Sequence, residues 1–161
     1  MWRRTERRST VDELDVALVK ELQRDARQSN RELAAKLGIA PSTCLERVRS
    51  LRARGIVTGF HAAVSLRALN RDVQALIAVQ VRPLNREIIN DFKRYMTALP
   101  EVLSVFVLAG GDDFLVHVAV PDIERLHDFL MDRFTNRREI VGFRSSIVYA
   151  HVGGGPMGAL P

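Results

Sequence analysis

The spacing of apolar residues changes at Gly55, and this change constrains the fold more than any other feature of the sequence. Before Gly55, apolar side chains recur every three or four residues, as on the buried side of an amphipathic α-helix. After Gly55, short β-branched runs alternate with further helical segments. We therefore expect an α+β chain with a helical N-terminal domain, and its 161 residues are enough for two small domains.

Two helices are predicted before Gly38. Asp12 is a suitable N-cap for the first helix. The apolar side of this helix is formed by Leu14, Leu18 and Leu22. Ser29 and Glu32 have the spacing of a capping box, which indicates the start of the second helix. Gly38 suits the left-handed residue that ends it.

A third helix is predicted from Pro41 to Gly55, because proline favours the first helical turn and glycine favours the end of a helix. Its apolar side consists of Cys44, Val48 and Leu51. The remaining surface is small, polar and basic. At 100° per residue, this surface carries Ser42, Thr43, Glu46, Arg47, Arg49, Ser50, Ala53 and Arg54.

The short turn around Gly38 joins the second and third helices as in a helix-turn-helix. In that motif the last helix enters the DNA major groove, and flanking residues contact phosphates. The candidate contacts to double-stranded DNA are therefore Ser42, Thr43, Glu46, Arg47, Arg49, Ser50 and Arg54.

The distribution of charge is consistent with a polyanionic partner. Residues 1–60 carry 13 Lys and Arg against 8 Asp and Glu, whereas residues 61–161 carry 11 of each. The whole net charge of +5 therefore lies in the first part of the chain. Charge alone leaves nucleic acid, an acidic membrane surface and an ordinary solvated basic face as alternatives.

The C-terminal part predicts the strand and helix order βαββαβ. The predicted strands are 73–81, 102–109, 114–120 and 141–152, and the predicted helices are 86–99 and 122–134, with Ile123 among the inward residues of the second. This order is typical of a ferredoxin-like domain, an antiparallel sheet with both helices on one face. Apolar residues also point to the other face, where we expect a second subunit.

These patterns divide the chain into five segments. They are a basic N-terminal arm at 1–11, a helix-turn-helix (winged-helix-like) domain at 12–55, a hinge strand or linker at 56–71, a ferredoxin-like oligomerisation domain at 72–152, and a disordered tail at 153–161.

Several classes of protein are not expected. No apolar run approaches the roughly 18 residues of a membrane helix, and the N-terminus lacks the apolar core of a signal peptide, so we expect a cytoplasmic protein without a membrane partner. Cys44 is the one cysteine, and the four histidines have no metal-ligand spacing. The sequence contains no nucleophile elbow and no phosphate loop, so no motif of this kind indicates an enzyme. A metabolite-binding module that acts through protein partners and a small ferredoxin-like enzyme remain as alternatives.

The turn AGGDDF, residues 109–114, lies between two apolar strands. Gly110 and Gly111 are expected to permit positive φ in a tight hairpin, with Asp112 and Asp113 keeping its tip hydrated. The same residues suit an amino-acid ligand, because glycines let a carboxylate approach backbone N–H groups and an aspartate can pair with an ammonium group. A purely structural turn would be sufficient for the fold.

Two stretches resemble the Lrp/AsnC family, the leucine-responsive or feast/famine regulators. RQSNRELAAKLGIAPSTCLERVRSLRARGIVTGF resembles its DNA-binding half, and VFVLAGGDDFLVHVAVPDIERLHDFL resembles its ligand-sensing module. The resemblance covers about residues 12–152. It implies a regulator of amino-acid metabolism that forms a homodimer, often an octamer of four dimers. It also implies that the domain at 72–152 binds an amino-acid effector at subunit interfaces near the turn between the second and third strands.

The resemblance also implies where the effector binds. The corresponding residues are Gly110, Gly111, Asp112 and Asp113, with Ser145 and Ser146 as weaker candidates from a neighbouring subunit. No other cofactor is expected. Ala40 stands where the family usually has a serine cap, which costs about 1 kcal/mol of helix stability. Asp112 stands at a commonly aromatic position, so the ligand preference is expected to differ.

Overall fold

A computed structural model describes residues 11–160 and divides the chain into two compact units. Within the described residues, the helical unit comprises 11–63 and 152–160, and the sheet unit comprises Val64–His151. The predicted linker 56–71 is therefore shared between the two units. The predicted basic arm lies outside the described residues except for Val11.

Three helices form the helical unit: α1 (Glu13–Arg24), α2 (Asn30–Leu37) and α3 (Pro41–Ala53). The predicted caps are confirmed. Asp12 accepts a hydrogen bond from the backbone N–H of Asp15 at 2.8 Å, and Ser29 and Glu32 form a capping box. Gly38 has φ 67°, and Ala40 provides no side-chain cap for α3. The core consists of Leu18, Leu22, Leu33, Ala34, Cys44 and Leu51.

The remainder of the helical unit is irregular. Residues 56–63 form neither helix nor strand, so no β-wing follows α3 in the described part of this unit. Ile56 and Val57 pack against the helical core. The predicted disordered tail also lacks helix and strand over 153–160, yet the side chain of Gln23 bonds to both the N–H and the C=O of Met157 at 3.0 and 2.8 Å. These two hydrogen bonds depart from the prediction of disorder.

The sheet unit has the predicted ferredoxin-like order. A 3₁₀ turn at Arg67–Leu69 precedes β1 (Val73–Val81), α4 (Arg86–Thr97), β2 (Val102–Val107), β3 (Phe114–Val120), α5 (Ile123–Leu130), a π-helical turn at Met131–Thr135, and β4 (Ile140–Ile147). The strands are antiparallel in the order β2-β3-β1-β4. β4 ends well before residue 152 because β1, its one neighbour in this order, begins at Val73.

One face of the sheet packs against both helices. Phe92 of α4 lies against Phe114 of β3, with ring centroids 4.3 Å apart. Ile123, which was predicted to point inward, is instead 53% exposed, and Phe129 is buried in the core. The buried side of α5 consists of Leu126, Phe129 and Leu130, which have the i, i+3, i+4 spacing. Ile123 is the first residue of α5 and lies outside that stripe.

The opposite face, called the outer face below, carries the alternate residues of each strand. Ala78, Leu115 and Phe106 form one row across it, and Leu76 lies in the next row, opposite His117. Phe106 is 51% exposed. No helix of the sheet unit packs on this face, because the residues that contact α4 and α5 belong to the other set of alternating strand positions.

No helix within residues 11–160 is long and apolar enough to span a membrane.

Candidate functional site

The exposed surface of α3 presents most of the predicted DNA contacts. Five polar side chains on this surface are exposed and make no hydrogen bond or ion pair within residues 11–160: Ser42, Thr43, Glu46, Arg49 and Ser50. Cys44 and Leu51, on the opposite side, are fully buried in the core. This division results from the helical period, since the two groups are separated by roughly half a turn around the helix axis. The unpaired donors and acceptors of this surface are therefore available to a ligand.

Arg47 and Arg54 differ from the other predicted contacts because they bond to α1. Arg47 Nη1 lies 3.1 Å from Asp15 Oδ1, and Arg54 Nη1 lies 3.0 Å from Asp15 Oδ2. Arg47 also forms an ion pair with Asp12. Asp15 is 1% exposed, so its carboxylate requires such partners. The two arginines thus help to hold α3 against α1.

The sequence prediction missed Asp15, although a signal was present. Asp15, Leu18 and Leu22 have the i, i+3, i+7 spacing of one helix face, so an acidic residue stands on the buried side of α1. The two arginines on one flank of α3, Arg47 and Arg54, are the complementary signal, because they can pair with a buried carboxylate.

Asp12 combines two contacts that lower the pKa of its carboxyl group. The larger cause is the hydrogen bond from the backbone N–H of Asp15, followed by the hydrogen bond from Arg47. The pKa of Arg47 is raised mainly by its hydrogen bond to Asp12 and, next, by its hydrogen bond to Asp15. The charged forms of both Asp12 and Arg47 are therefore favoured.

In the AGGDDF turn, Asp113 is buried and attached to β1. Its Oδ2 accepts hydrogen bonds from the backbone N–H of Val81 at 2.8 Å and from Arg82 Nη1 at 3.0 Å. Its own backbone N–H donates to the carbonyl of Val79 at 3.0 Å. The register between β1 and β4 is irregular at Gln80 and Val81, and the carboxylate satisfies the Val81 N–H there. These contacts assign Asp113 a structural role.

Asp112 points to the outer face and forms an exposed ion pair. Arg144 Nη2 donates to Asp112 Oδ2 at 2.7 Å. The amide nitrogen of Gln80 donates to the carbonyl of Gly111 at 2.9 Å and approaches Asp112 Oδ1 at 3.4 Å. The sequence prediction included neither Gln80 nor Arg144, because their proximity to the turn depends on strand register across β1 and β4.

The prediction of positive φ at Gly110 and Gly111 is wrong. In the described chain, the glycines with positive φ are Gly38 and Gly55. A Cβ atom built on Gly110 or Gly111 would meet no atom within 4 Å. Neither backbone conformation nor crowding within the chain therefore requires glycine in this turn. The absence of side chains leaves open space beside the Asp112–Arg144 pair.

Ser145 and Ser146 lie on opposite faces of the sheet. Ser145 pairs with Ile77, whose side chain is in the core, whereas Ser146 pairs with Leu76 of the outer face. The AGGDDF turn contacts Gln80, which is roughly 13 Å along β1 from Leu76. Within one subunit, the fold does not bring either serine to the turn.

The described residues contain no cluster of metal-binding side chains. No group of three or more His, Cys, Asp or Glu within 11–160 could hold a metal ion. Burial raises the pKa of the Cys44 thiol. His117 lies on the outer face with Nε2 3.1 Å from Gln74 Oε1, and burial, followed by the nearby His151, lowers its pKa.

Two family models match the chain. Residues 11–52 match the AsnC-type helix-turn-helix domain, and residues 74–155 match the Lrp/AsnC ligand binding domain. The HTH-type transcriptional regulator AldR of Mycolicibacterium smegmatis is 36% identical over 144 residues, which cover 89% of this chain and 84% of AldR.

Solved structures agree with these matches. A transcriptional regulator from Neisseria meningitidis, in complex with L-methionine, is 30% identical with a TM-score of 0.84, and the match covers 94% of this chain and 97% of that one. The structure of MtbAldR is 34% identical with a TM-score of 0.77, and the match covers 94% of this chain and 100% of that one. The named relatives are transcriptional regulators rather than enzymes. Given two family models in the matching order and relatives aligned over most of their length, this chain belongs to the Lrp/AsnC family of transcriptional regulators.

Proposed function

We propose that this protein is a transcriptional regulator that binds duplex DNA through the exposed surface of α3 and responds to an amino acid bound at the AGGDDF turn. The proposal of DNA binding rests on one observation, the five exposed and unpaired polar side chains on the last helix of an AsnC-type helix-turn-helix. The match to this domain favours a regulator over a metabolite-binding module without DNA.

The side chains of α3 suit different parts of a DNA duplex. Arg49 can donate two hydrogen bonds to the O6 and N7 of guanine, and Glu46 can accept one from the amino group of cytosine. Ser42, Thr43 and Ser50 can bond to bases or phosphates. Arg47 and Arg54 already bond to Asp15, so they suit phosphates at the edge of the interface better than base edges.

Replacement of Arg49 tests this interface. We expect Arg49→Ala to weaken binding to a duplex selected from a random-sequence library by about 1–3 kcal/mol, because a bidentate contact to guanine is lost. Fluorescence anisotropy at several salt concentrations is the measurement. Arg138→Ala removes the same charge from an exposed position in the sheet unit and serves as the control.

If both variants bound the selected duplex as tightly as the wild type, α3 would not be the recognition helix. If the wild type showed no affinity for duplex DNA even at low salt, DNA binding itself would be refuted, because phosphate contacts strengthen steeply as salt falls.

The effector site follows from the charges beside the turn. An α-amino acid carries one carboxylate and one ammonium group, which complement Arg144 and Asp112, respectively. Its backbone atoms can approach the turn over Gly110 and Gly111, where no protein atom occupies the space. The N. meningitidis regulator named above binds L-methionine, so methionine is the first amino acid to test. The carboxylate of the effector would replace Asp112 as the partner of Arg144, and its ammonium group would replace Arg144 as the partner of Asp112.

A thermal-shift screen of the twenty amino acids tests the effector site. A ligand that binds the folded protein raises the melting temperature by mass action. We expect Arg144→Gln to abolish the shift while changing the melting temperature of the ligand-free protein little, because Arg144 is exposed. The control is Arg138→Gln, which should keep the shift. No shift with any amino acid would contradict an effector-sensing role.

The outer face supports a homodimer. Phe106 is exposed there, beside Leu115, Ala78 and Leu76, and an apolar surface of this kind is commonly covered by a second copy. Four such dimers would form the proposed octamer. Because its target is DNA, we assign the protein to the cytoplasm.

A further inference from the structure

Two aspartates share Arg47, and their surroundings are unequal. Asp15 is buried and also bonds to Arg54. The side chain of Asp12 is 52% exposed, and Arg47 is its one ion-pair partner among the described residues. The contact with Asp15 therefore resembles a structural core interaction, whereas the contact with Asp12 is open to competition from solvent ions and other anions.

The two oxygens of Asp12 have separate roles. Oδ1 accepts the hydrogen bond from the backbone N–H of Asp15 and caps α1. Oδ2 bonds to Arg47. Loss of the bond to Arg47 therefore leaves the cap of α1 in place, so the exchange of this partner does not require unfolding of the first helical turn.

Arg47 retains donors for an incoming anion. Its contacts with Asp12 and Asp15 both use Nη1, and no partner of Nε or Nη2 occurs among the described residues. The side chain is 37% exposed. A guanidinium group binds carboxylates and phosphates through the same planar set of donors. A phosphate oxygen could therefore take the place of Asp12 Oδ2 while Asp15 continues to hold the other side of Arg47.

Arg47 also lies where such a phosphate would be. Thr43 and Ser50, which belong to the exposed surface of α3, are four residues before and three residues after Arg47 on the same helix. Residues that flank the base-contacting surface of a helix-turn-helix commonly contact the DNA backbone.

We propose that Arg47 forms a phosphate-binding site at the junction of α1 and α3, and that the carboxylate of Asp12 occupies this site in the DNA-free protein. The proposal rests on the DNA binding proposed above and specifies the contact. Asp12 acts as an internal competitor of the DNA backbone. Because phosphates are common to all sequences, this competition lowers the affinity for all duplexes alike and does not select a base sequence.

The test measures binding to a random-sequence DNA duplex by fluorescence anisotropy. Asp12→Ser removes the carboxylate but keeps an N-cap. Glu21→Gln is the matched control, because it makes the same charge change on α1 at a residue that pairs with Arg24 and Lys36 instead. Arg47→Ala and the double variant Asp12→Ser/Arg47→Ala complete a double-mutant cycle. Thermal melts establish that each variant is folded, and Asp12→Asn, which also caps a helix, replaces the serine variant if that variant melts early.

We expect Asp12→Ser to bind the duplex about two- to fivefold more tightly, the range for release of a partly exposed ion pair, and Glu21→Gln to change affinity less. The gain should vanish in the Arg47→Ala background. Arg47→Ala itself should lower the slope of log affinity against log salt by about one phosphate contact.

Equal gains from Asp12→Ser and Glu21→Gln would overturn the proposal, since a general charge effect would then explain both. A gain that persists without Arg47, or no gain at all, would also overturn it. These outcomes leave the proposed function standing if the wild type binds the duplex. Absence of wild-type binding would overturn both proposals.

Discussion

Two pairs of aspartates show how neighbouring residues of one type take different roles. In each pair the buried member, Asp15 or Asp113, is satisfied by bonds to an arginine and a further group within the fold. The other members, Asp12 and Asp112, are less buried, and each forms an ion pair with an arginine, Arg47 and Arg144, respectively. Burial therefore separates aspartates that maintain the structure from those that can exchange partners with a ligand.

Replacement of Asp15 tests this distinction through stability. We expect Asp15→Asn to lower the free energy of unfolding by about 1–3 kcal/mol, because Arg47 and Arg54 lose the carboxylate that holds them. Urea denaturation is the measurement. Glu13→Gln, an exposed position on α1, should change stability by less than about 0.5 kcal/mol. Equal stability of the Asp15 and Glu13 variants would show that the buried ion pairs do not hold α3 to α1.

At the scale of elements, local patterns predicted most of the fold. The N-caps Asp12 and Ser29 begin helices as expected, because a cap acts on the backbone within three residues. The βαββαβ order followed from periodicity alone. The prediction that Ile123 lies in the core is wrong, because the spacing of apolar residues is least informative at the end of a helix.

Contacts between elements were much less predictable from the sequence. The Asp15–Arg54 pair joins residues 39 apart, and the Asp112–Arg144 pair joins residues 32 apart. Such pairs depend on helix packing and strand register, which a single sequence does not specify. Gly110 and Gly111 were placed in the turn correctly, but neither adopts the expected positive φ.

His117 on β3 predicts a pH dependence of stability. Its pKa in the folded protein lies below the ordinary value of about 6.5, which it regains in the unfolded chain. Between those two pKa values the unfolded chain binds more protons, so the free energy of unfolding falls as the pH falls below about 6.5. We expect His117→Gln to reduce this fall, measured by urea denaturation at each pH. His127→Gln, at an exposed helix position, should leave it as in the wild type. If the free energy of unfolding of the His117 variant fell with pH as in the wild type, other groups would be responsible for the pH dependence.

At the scale of the whole molecule, the chain has one unit for DNA and one for the effector, and it passes between them twice, after Ala63 and after His151. An effector can change DNA affinity only to the extent that its own affinity differs between the DNA-bound and DNA-free assemblies. In the proposed dimer, subunit association through the outer face would provide one such difference, because the resemblance to the family implies that the effector binds at subunit interfaces.

Replacement of Phe106 tests the proposed dimer. We expect Phe106→Glu to give monomers in size-exclusion chromatography with light scattering, because a charge would be buried in an apolar contact. Ile123→Glu is the matched control: it changes a residue of similar exposure, 53%, at the start of α5, which packs on the other face of the sheet. A dimeric Phe106→Glu protein would exclude the outer face as the interface.

Coupling between the effector and DNA is tested by measuring DNA affinity with and without the amino acid found in the thermal-shift screen. We expect a saturating effector to change the affinity of the wild type for its selected duplex by about 5- to 150-fold, the usual range of coupling between sites. By reciprocity, the duplex should change the effector affinity by the same factor. An effector that binds the protein but leaves DNA affinity unchanged would show that the protein is not an effector-controlled regulator.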